Sequence, residues 1–165
     1  VVVSHPNPTL GQRLADLVAV TERIECIDPL PYPAFVEVLS RACLVMTDSG
    51  GLQEELPTLG VRTIVLRTET ERPEAMLAGL SVLVGTDHDR IVDTATAALA
   101  SAELPTSTTN PYGDGQAGGR SAQAIAWLLG LADRPHDHRP ALPAPSSVAD
   151  GWLDPVVLTF PSAPE

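Results

Sequence analysis

The stretch Thr47-Asp48-Ser49-Gly50-Gly51-Leu52-Gln53-Glu54-Glu55 carries the strongest structural signal in the chain. It follows the apolar run Leu44-Val45-Met46, which predicts a buried strand. Two consecutive glycines allow a tight turn into a helix whose first backbone amides have no partner within the helix. Such amides and the helix dipole favour an anion. The stretch therefore predicts a strand-to-helix turn with an anion site, although glycines also serve such turns for steric reasons alone.

The helix that follows this turn has an apolar face that includes a carboxylate. Leu52, Leu56 and Leu59 stand at i, i+4 and i+7, the spacing of a face packed on a sheet. Glu55 shares that face, whereas Glu54 points away from it. A carboxylate turned inward costs on the order of several kcal/mol unless a partner hydrogen-bonds it. Ribose hydroxyls are one such partner, and a partly exposed ion pair within the protein is the alternative.

Short apolar runs alternate with helical patterns along the first 131 residues. We predict strands at residues 1–4, 24–27, 44–47, 63–66 and 82–84. We predict helices at residues 10–20, 35–43, 73–79, 88–102 and 116–131, with a rigid proline loop at residues 29–33. This alternation is typical of an α/β fold with a parallel sheet covered on both faces.

Composition and charge limit the kinds of partner. The chain has 165 residues, which predicts one domain, and a formal net charge of −11, which argues against nucleic acid or an anionic membrane surface. No apolar run is long enough to span a membrane. Cys26 and Cys43 are too few for a disulfide framework and are predicted to be small core residues in a reducing compartment. The chain opens Val-Val-Val rather than with Met, which suggests a fragment.

The last part of the chain differs in composition. Seven of the sixteen prolines fall within residues 133–165, and no periodic apolar pattern continues there. We therefore predict a folded domain over residues 1–132 and a mostly disordered tail over residues 133–165. His136-Asp137-His138 lies in that tail, where solvated histidines are far commoner than metal ligands, so we expect neither a metal nor a cofactor.

His5 and Arg72 are further candidates for a binding site. His5 ends the first predicted strand, at the sheet edge where α/β proteins bind ligands, and can donate to a phosphate or transfer a proton. A solvated turn histidine is the alternative, which position alone favours. Arg72 precedes Pro73, the predicted first residue of a helix, where a cation is unfavourable unless an anion lies between. A diphosphate would supply that anion, and pairing with Glu71 or Glu74 is the alternative.

Five motifs occur in order along the chain. They are His-Pro-Asn-Pro at 5–8, Asp-Pro-Leu-Pro-Tyr-Pro-Ala-Phe at 28–35, Thr-Asp-Ser-Gly-Gly-Leu-Gln-Glu-Glu at 47–55, Thr-Glu-Arg-Pro-Glu at 70–74 and Asn-Pro-Tyr-Gly-Asp-Gly at 110–115. Together they resemble the C-terminal domain of the non-hydrolysing UDP-N-acetylglucosamine 2-epimerases, over about residues 1–131. The resemblance implies the Rossmann-like, C-terminal half of a glycosyltransferase-B architecture, with substrate bound between two halves.

The resemblance also implies roles for individual residues. The members of the UDP site would be Ser49, Gly50 and Gly51 on the diphosphate, Glu55 on the ribose, Leu30 (through its backbone) and Phe35 around the uracil, and Arg72 and His5 on the diphosphate side. His5, near the departing UDP, is the catalytic candidate. The implied reaction interconverts UDP-GlcNAc and UDP-ManNAc by elimination and re-addition of UDP. A cytoplasmic homodimer that supplies bacterial surface polysaccharide precursors is the implied setting.

Two departures from the family pattern bear on activity. The acidic residues that handle the C2 proton belong to the family's N-terminal domain, and the C-terminal domain opens with a strand carrying a Gly-His-Arg-Arg type motif. This chain begins after both, so we expect a Rossmann-like sheet that lacks its first strand and a chain that is inactive alone. Two alternatives stay open: a glycosyltransferase of the same architecture, which the five ordered motifs argue against, and a non-catalytic UDP-sugar-binding module completed by another chain.

Overall fold

The computed structural model describes residues 1–101 and 110–137, in which strands and helices alternate. The strands are β1 Val2–Val3, β2 Cys26–Ile27, β3 Val45–Thr47, β4 Thr63–Val65 and β5 Ser81–Leu83. The helices are α1 Pro8–Val18, α2 Tyr32–Ser40, α3 Gly50–Leu59, α4 Glu74–Leu77, α5 His88–Ala100 and α6 Ala117–Leu128. The described strands form two parallel sheets, which confirms the predicted α/β class. The chain divides into two compact units, Val1–Val38 and Leu39–Glu165.

The first unit is built on the parallel pair β1 and β2. The helix α1 begins where the Asn7 side chain accepts a hydrogen bond from the Thr9 amide at 3.0 Å. Gly11 brings this helix close to the end of β1. A Cβ atom on Gly11 would lie 2.9 Å from Ser4 Oγ and 3.0 Å from the His5 carbonyl oxygen, so only glycine permits this approach.

The second unit contains the sheet β3-β4-β5, with β4 in the centre and buried along its length. Its parallel order follows from the helices that connect consecutive strands. The apolar side chains pack in two clusters. One comprises Ile64, Val82 and Val84 with Leu44, Leu66, Ile91 and Ala95, and the other comprises Ala75, Ala78 and Leu80 with Tyr112. The second cluster includes residues of α4 and of the segment after it, which follow β4 in the chain.

Three local predictions are wrong. Tyr32 and Pro33 begin the helix α2 rather than complete a proline loop, because proline is compatible with the first turn of a helix. Pro73 is the cap of α4 rather than its first residue, since α4 is a single turn that starts at Glu74. Cys43 is exposed, not in the core, because it lies in the connection after α2; Cys26 is half-buried.

The predicted tail begins among described residues but extends past them. Residues 133–137 are described, whereas the predicted disorder of residues 138–165 lies outside the part of the chain that the structure describes. The predicted last helix is shorter than expected. It ends at Leu128, and Gly130 then adopts a left-handed conformation with φ of 70°, which terminates the helix. No helix in residues 1–101 or 110–137 is both long and apolar enough to cross a bilayer.

Candidate functional site

The turn between β3 and α3 has the form that its sequence predicts. Ser49 is the N-cap of α3, with extended backbone angles, and its amide donates to Thr47 Oγ1 at 3.0 Å. Among the described residues, the Ser49 hydroxyl caps none of the helix amides. The first amides of α3 at Gly50 and Gly51 therefore lie at the carboxyl edge of the sheet, where an anion would complete their hydrogen bonds.

The two glycines face different side chains. A Cβ atom on Gly50 would lie 2.7 Å from Nη1 and 2.8 Å from Cζ of Arg72. A Cβ atom on Gly51 would instead lie 3.9 Å from Ser49 Oγ and 4.0 Å from Glu55 Oε1. The turn thus presents a cation, Arg72, at Gly50. At the next residue, Gly51, it presents the Ser49 hydroxyl and the Glu55 carboxylate.

Glu55 lies on the half-buried face of α3, as the leucine spacing predicts. It is half-buried, and so are Leu52 and Leu59, whereas Leu56 on the same face is fully buried. The carboxylate reaches back toward Gly51, as helix side chains lean toward the N-terminus. This places a carboxylate beside the N-terminal amides of α3, where ribose hydroxyls next to a bound diphosphate would find an acceptor.

Arg72 is paired within the protein by two carboxylates. Its Nε donates to Glu54 Oε1 and its Nη1 donates to Glu71 Oε1. The hydrogen bond with Glu54 is the main cause that raises the pKa of Arg72. Pairing with Glu71 is an alternative that the sequence leaves open, but a contact with Glu54 is not. Glu54 is exposed, as the helix pattern predicts, and yet it contacts a candidate phosphate ligand. The sequence offers no local signal for this contact, because the two residues are eighteen apart.

Two further residues of the site were missed from the sequence. Gln53 is buried, donates to the Ser49 carbonyl oxygen at 3.4 Å and accepts from Thr70 Oγ1 at 2.6 Å. The same Thr70 hydroxyl accepts from the Arg72 amide at 3.2 Å. These bonds join the turn after β3 to the loop after β4. The only sequence signal would have been the i, i+4 spacing of Ser49 and Gln53.

The Asn110–Gly115 motif makes hydrogen bonds to α3 and to the loop after β4. The Asn110 side chain donates to the Glu54 carbonyl oxygen at 3.0 Å and to Thr58 Oγ1 at 2.6 Å. The Tyr112 hydroxyl donates to the Arg72 carbonyl oxygen at 2.9 Å and accepts from the Ala75 amide at 3.2 Å. Burial raises the pKa of the Tyr112 phenol. The motif therefore ties α3 to the loop that carries Arg72.

Arg67 lies beside the same turn. Its Nε donates to the Asp48 carbonyl oxygen at 2.6 Å, and its Nη1 lies 3.3 Å from Glu71 Oε2. Glu71 therefore contacts both Arg67 and Arg72, and its pKa is lowered, first by a hydrogen bond from its own backbone and also by the two arginines. Arg67 supports the turn through the hydrogen bond from its side chain to the Asp48 carbonyl oxygen.

The first unit holds the other three predicted residues. His5 follows β1 and is exposed, and its Nδ1 accepts from the Asn7 amide at 2.9 Å, so a neutral His5 carries its proton on Nε2. Leu30 follows β2 and Phe35 lies in the first turn of α2, both half-buried. Because β1 and β2 are parallel, the segments that carry His5 and Leu30 leave the same edge of this sheet.

The predicted residues thus fall into two groups. Ser49, Gly50, Gly51, Glu55 and Arg72 come together in the second unit. His5, Leu30 and Phe35 lie in the first unit, and their membership of one UDP site with Glu55 stays a prediction. Within residues 1–101 and 110–137, no group of three His, Cys, Asp or Glu side chains could hold a metal ion; His138 lies outside the described residues.

Comparison with known proteins identifies relatives of this chain. The family model for UDP-N-acetylglucosamine 2-epimerase matches residues 1–126. The UDP-N-acetylglucosamine 2-epimerase of Escherichia coli K12 is 42% identical over 124 residues, which cover 73% of this chain and 33% of the relative. That of Yersinia pestis is 41% identical over the same length and the same shares. The chain spans about a third of the length of these relatives.

Solved structures agree with the sequence matches. The Staphylococcus aureus protein MnaA, solved with UDP, has a TM-score of 0.74 at 33% identity, covering 82% of this chain and 37% of that one. The UDP-GlcNAc 2-epimerase of Neisseria meningitidis, solved with UDP-GlcNAc, has a TM-score of 0.63 at 35% identity, covering 76% of this chain and 36% of that one. The fold of this chain is therefore similar to part of each of these proteins.

Proposed function

The chain belongs to the UDP-N-acetylglucosamine 2-epimerase family, and we propose that its turn between β3 and α3 binds the UDP part of a UDP-sugar. One observation carries the proposal. Gly50 faces the Arg72 guanidinium while Gly51 faces Ser49 and Glu55, so a cation and a carboxylate flank the same free helix amides. A nucleoside diphosphate has the matching order of groups, with phosphates beside hydroxyls.

Each residue has a role in this proposal. The amides of Gly50 and Gly51, with the Ser49 hydroxyl, donate to the diphosphate, and Arg72 neutralises its charge. Glu55 accepts hydrogen bonds from the ribose hydroxyls. The family resemblance assigns the uracil to the backbone of Leu30 and the ring of Phe35, and it makes His5 the catalytic candidate on the diphosphate side. Relatives solved with UDP or UDP-GlcNAc support this assignment of ligand.

The protein to which this chain corresponds would interconvert UDP-GlcNAc and UDP-ManNAc, without a metal or cofactor, by eliminating and re-adding UDP. Movement of the C2 proton requires a base held within about 3 Å of that carbon. In this proposal Glu55 accepts from the ribose, and the family resemblance assigns the C2 proton to acidic residues of the family's N-terminal domain. A cytoplasmic homodimer is the assembly we propose for it. The names of the relatives favour this activity over glycosyl transfer.

The proposal is tested by titrating the chain calorimetrically with UDP, ADP and inorganic diphosphate. UDP should bind saturably at one site, and ADP more weakly, because the contacts proposed for Leu30 and Phe35 are to uracil and not to a purine. Diphosphate alone should bind weakest, since it lacks the ribose hydroxyls that donate hydrogen bonds to Glu55 in the proposed complex. Equal binding of UDP and ADP, or no binding of UDP, would contradict the proposed site.

A further inference from the structure

The guanidinium of Arg72 is held on two different edges. Glu54 accepts from Nε, and Glu71 accepts from Nη1. The two terminal nitrogens lie against Gly50, where Nη1 and Nη2 would be 2.7 and 3.2 Å from a Cβ atom. The terminal edge of the guanidinium is therefore the one that faces the start of α3, and among the described residues Glu71 pairs with that edge.

We infer that Glu54 is a positioning residue for Arg72, which holds the guanidinium with its terminal nitrogens toward the diphosphate site; the inference rests on the proposed function. A guanidinium offers five N–H donors in a rigid fork. Glu54 uses the Nε donor, which leaves the paired terminal donors for a bidentate contact with phosphate. Glu54 and the phosphate thus bind different edges of one cation.

Glu54 and Arg72 each have a backbone that other residues hold in place. Glu54 lies on α3, and its own carbonyl oxygen accepts from the Asn110 side chain at 3.0 Å, which fixes its backbone. The Arg72 backbone is fixed as well, through Thr70 and Tyr112. The contact between Glu54 and Arg72 therefore anchors the long side chain of Arg72 to α3, while other bonds hold its backbone.

Glu71 has the opposite relation to the ligand. It occupies Nη1, a donor that the phosphate would use, and its side chain is 63% exposed, compared with 47% for Glu54. A diphosphate must displace Glu71 from Arg72, and water then solvates the released carboxylate. When the ligand binds, Glu54 therefore remains paired with Arg72, whereas Glu71 is displaced from it.

Positioning outweighs repulsion between Glu54 and the phosphates. An arginine side chain loses much rotational freedom when it is fixed on a ligand, and a side chain already held by Glu54 has less to lose. The repulsion acts across the guanidinium between groups that water partly screens, because Glu54 is about half exposed. Removal of Glu54 should therefore weaken UDP binding, and removal of Glu71 should not.

The test compares Glu54→Met, Glu54→Gln and Glu71→Met by calorimetric titration with UDP and with uridine, which has no phosphates. Glu54→Met should weaken UDP binding about fivefold, the cost of ordering one long side chain, and leave uridine binding unchanged. Glu54→Gln keeps an oxygen that can accept from Nε, so its loss should be smaller. Glu71→Met should not weaken UDP binding. In an Arg72→Ala background, Glu54→Met should have no further effect.

The outcomes separate this inference from the proposed function. If the unmodified chain binds no UDP, the proposed function fails and the inference fails with it. If UDP binds but Glu54→Met changes its affinity by less than twofold, only the inference fails. Equal losses for UDP and uridine would assign Glu54 a structural role, and a loss for Glu71→Met that matches the one for Glu54→Met would remove the distinction between the two carboxylates.

Discussion

The guanidinium of Arg72 lies directly against Gly50, with Nη1 2.7 Å from the position that a Cβ atom would occupy. Real Cβ atoms do not approach other heavy atoms this closely, so the Arg72 position requires glycine at residue 50. The neighbouring Gly51 has ordinary van der Waals space around its missing Cβ. The two adjacent glycines therefore differ. Gly50 leaves space for the Arg72 guanidinium, whereas a side chain at Gly51 would not clash with its neighbours.

This difference predicts unequal effects of alanine at the two positions. Gly50→Ala should displace the Arg72 guanidinium and weaken UDP binding at least threefold, on the order of the loss of one ordered charged contact. Gly51→Ala should raise the free energy of unfolding by about 0.4–1 kcal/mol, because alanine reduces the freedom of the unfolded chain. Urea unfolding of both variants and UDP calorimetry of Gly50→Ala measure these effects.

A gain in stability for Gly50→Ala equal to that for Gly51→Ala would contradict the close approach of Arg72. The same conclusion would follow if Gly50→Ala bound UDP as tightly as the unmodified chain. The stability comparison does not depend on the identity of the ligand, so it tests the geometry of the turn by itself.

The sequence predicted the parts of this site that depend on local patterns. The turn at Ser49 and the half-buried position of Glu55 follow from a glycine pair and a leucine spacing within eleven residues. The contact of Glu54 with Arg72 joins residues eighteen apart. Such contacts arise because parallel β3 and β4 bring their following loops to one edge, and single-residue patterns do not encode which side chains then meet.

The same limit explains the element boundaries. Strand positions were predicted well because each strand of the central sheet is an apolar run, but helix ends were not. α4 was predicted as seven residues and has four, Glu74–Leu77, and α6 ends three residues earlier than predicted. Helix ends depend on capping and on the packing of the next segment, which outweigh weak propensities.

Tyr112 links the Arg72 carbonyl oxygen to the Ala75 amide through one hydroxyl. Tyr112→Phe removes both hydrogen bonds at a partly buried position, so the free energy of unfolding should fall by about 1–2 kcal/mol. Urea unfolding at pH 7 measures this difference. A loss below about 0.3 kcal/mol would show that the hydroxyl does not hold the loop.

The same residue predicts a pH dependence. Burial raises the pKa of Tyr112 above its usual value, so the folded state favours the neutral phenol. Its contribution to stability is complete below the unfolded pKa of about 10 and is lost as the pH rises through the higher folded pKa. The stability difference between the unmodified chain and Tyr112→Phe should therefore shrink above about pH 10, and a difference that grows there would contradict it.

Arg62 is a buried cation at the end of a helix. Only 5% of the residue is exposed, and its guanidinium donates to the Ala98 carbonyl oxygen and, at 2.9 Å, to that of Ser101. These carbonyls end α5, where a positive charge is favourable. Arg62→Met keeps the apolar stem but removes these bonds, and should lower the free energy of unfolding by about 2–3 kcal/mol.

The matched control for Arg62 is Arg90→Met. Arg90 is exposed and donates to the Leu83 carbonyl oxygen at 3.3 Å, so its replacement should cost less than about 1 kcal/mol. Both variants change the net charge equally, and urea unfolding compares them directly. Equal losses in the free energy of unfolding would mean that the change in net charge, and not the bonds to the end of α5, determines the effect of Arg62→Met.

Glu55 provides the sharpest test of the nucleotide assignment. In the proposed complex, Glu55→Ala removes hydrogen bonds to the ribose, each worth roughly 1.5–3 kcal/mol to a charged acceptor, so UDP affinity should fall at least tenfold. Uridine should lose affinity by a similar factor, because its ribose is the same. Glu54 variants should weaken UDP alone, so the neighbouring carboxylates give different ligand profiles. Asp89→Ala, an exposed residue on α5, is the charge-matched control and should change affinity by less than about twofold. A Glu55→Ala variant that bound uridine normally would show that Glu55 does not contact the ribose.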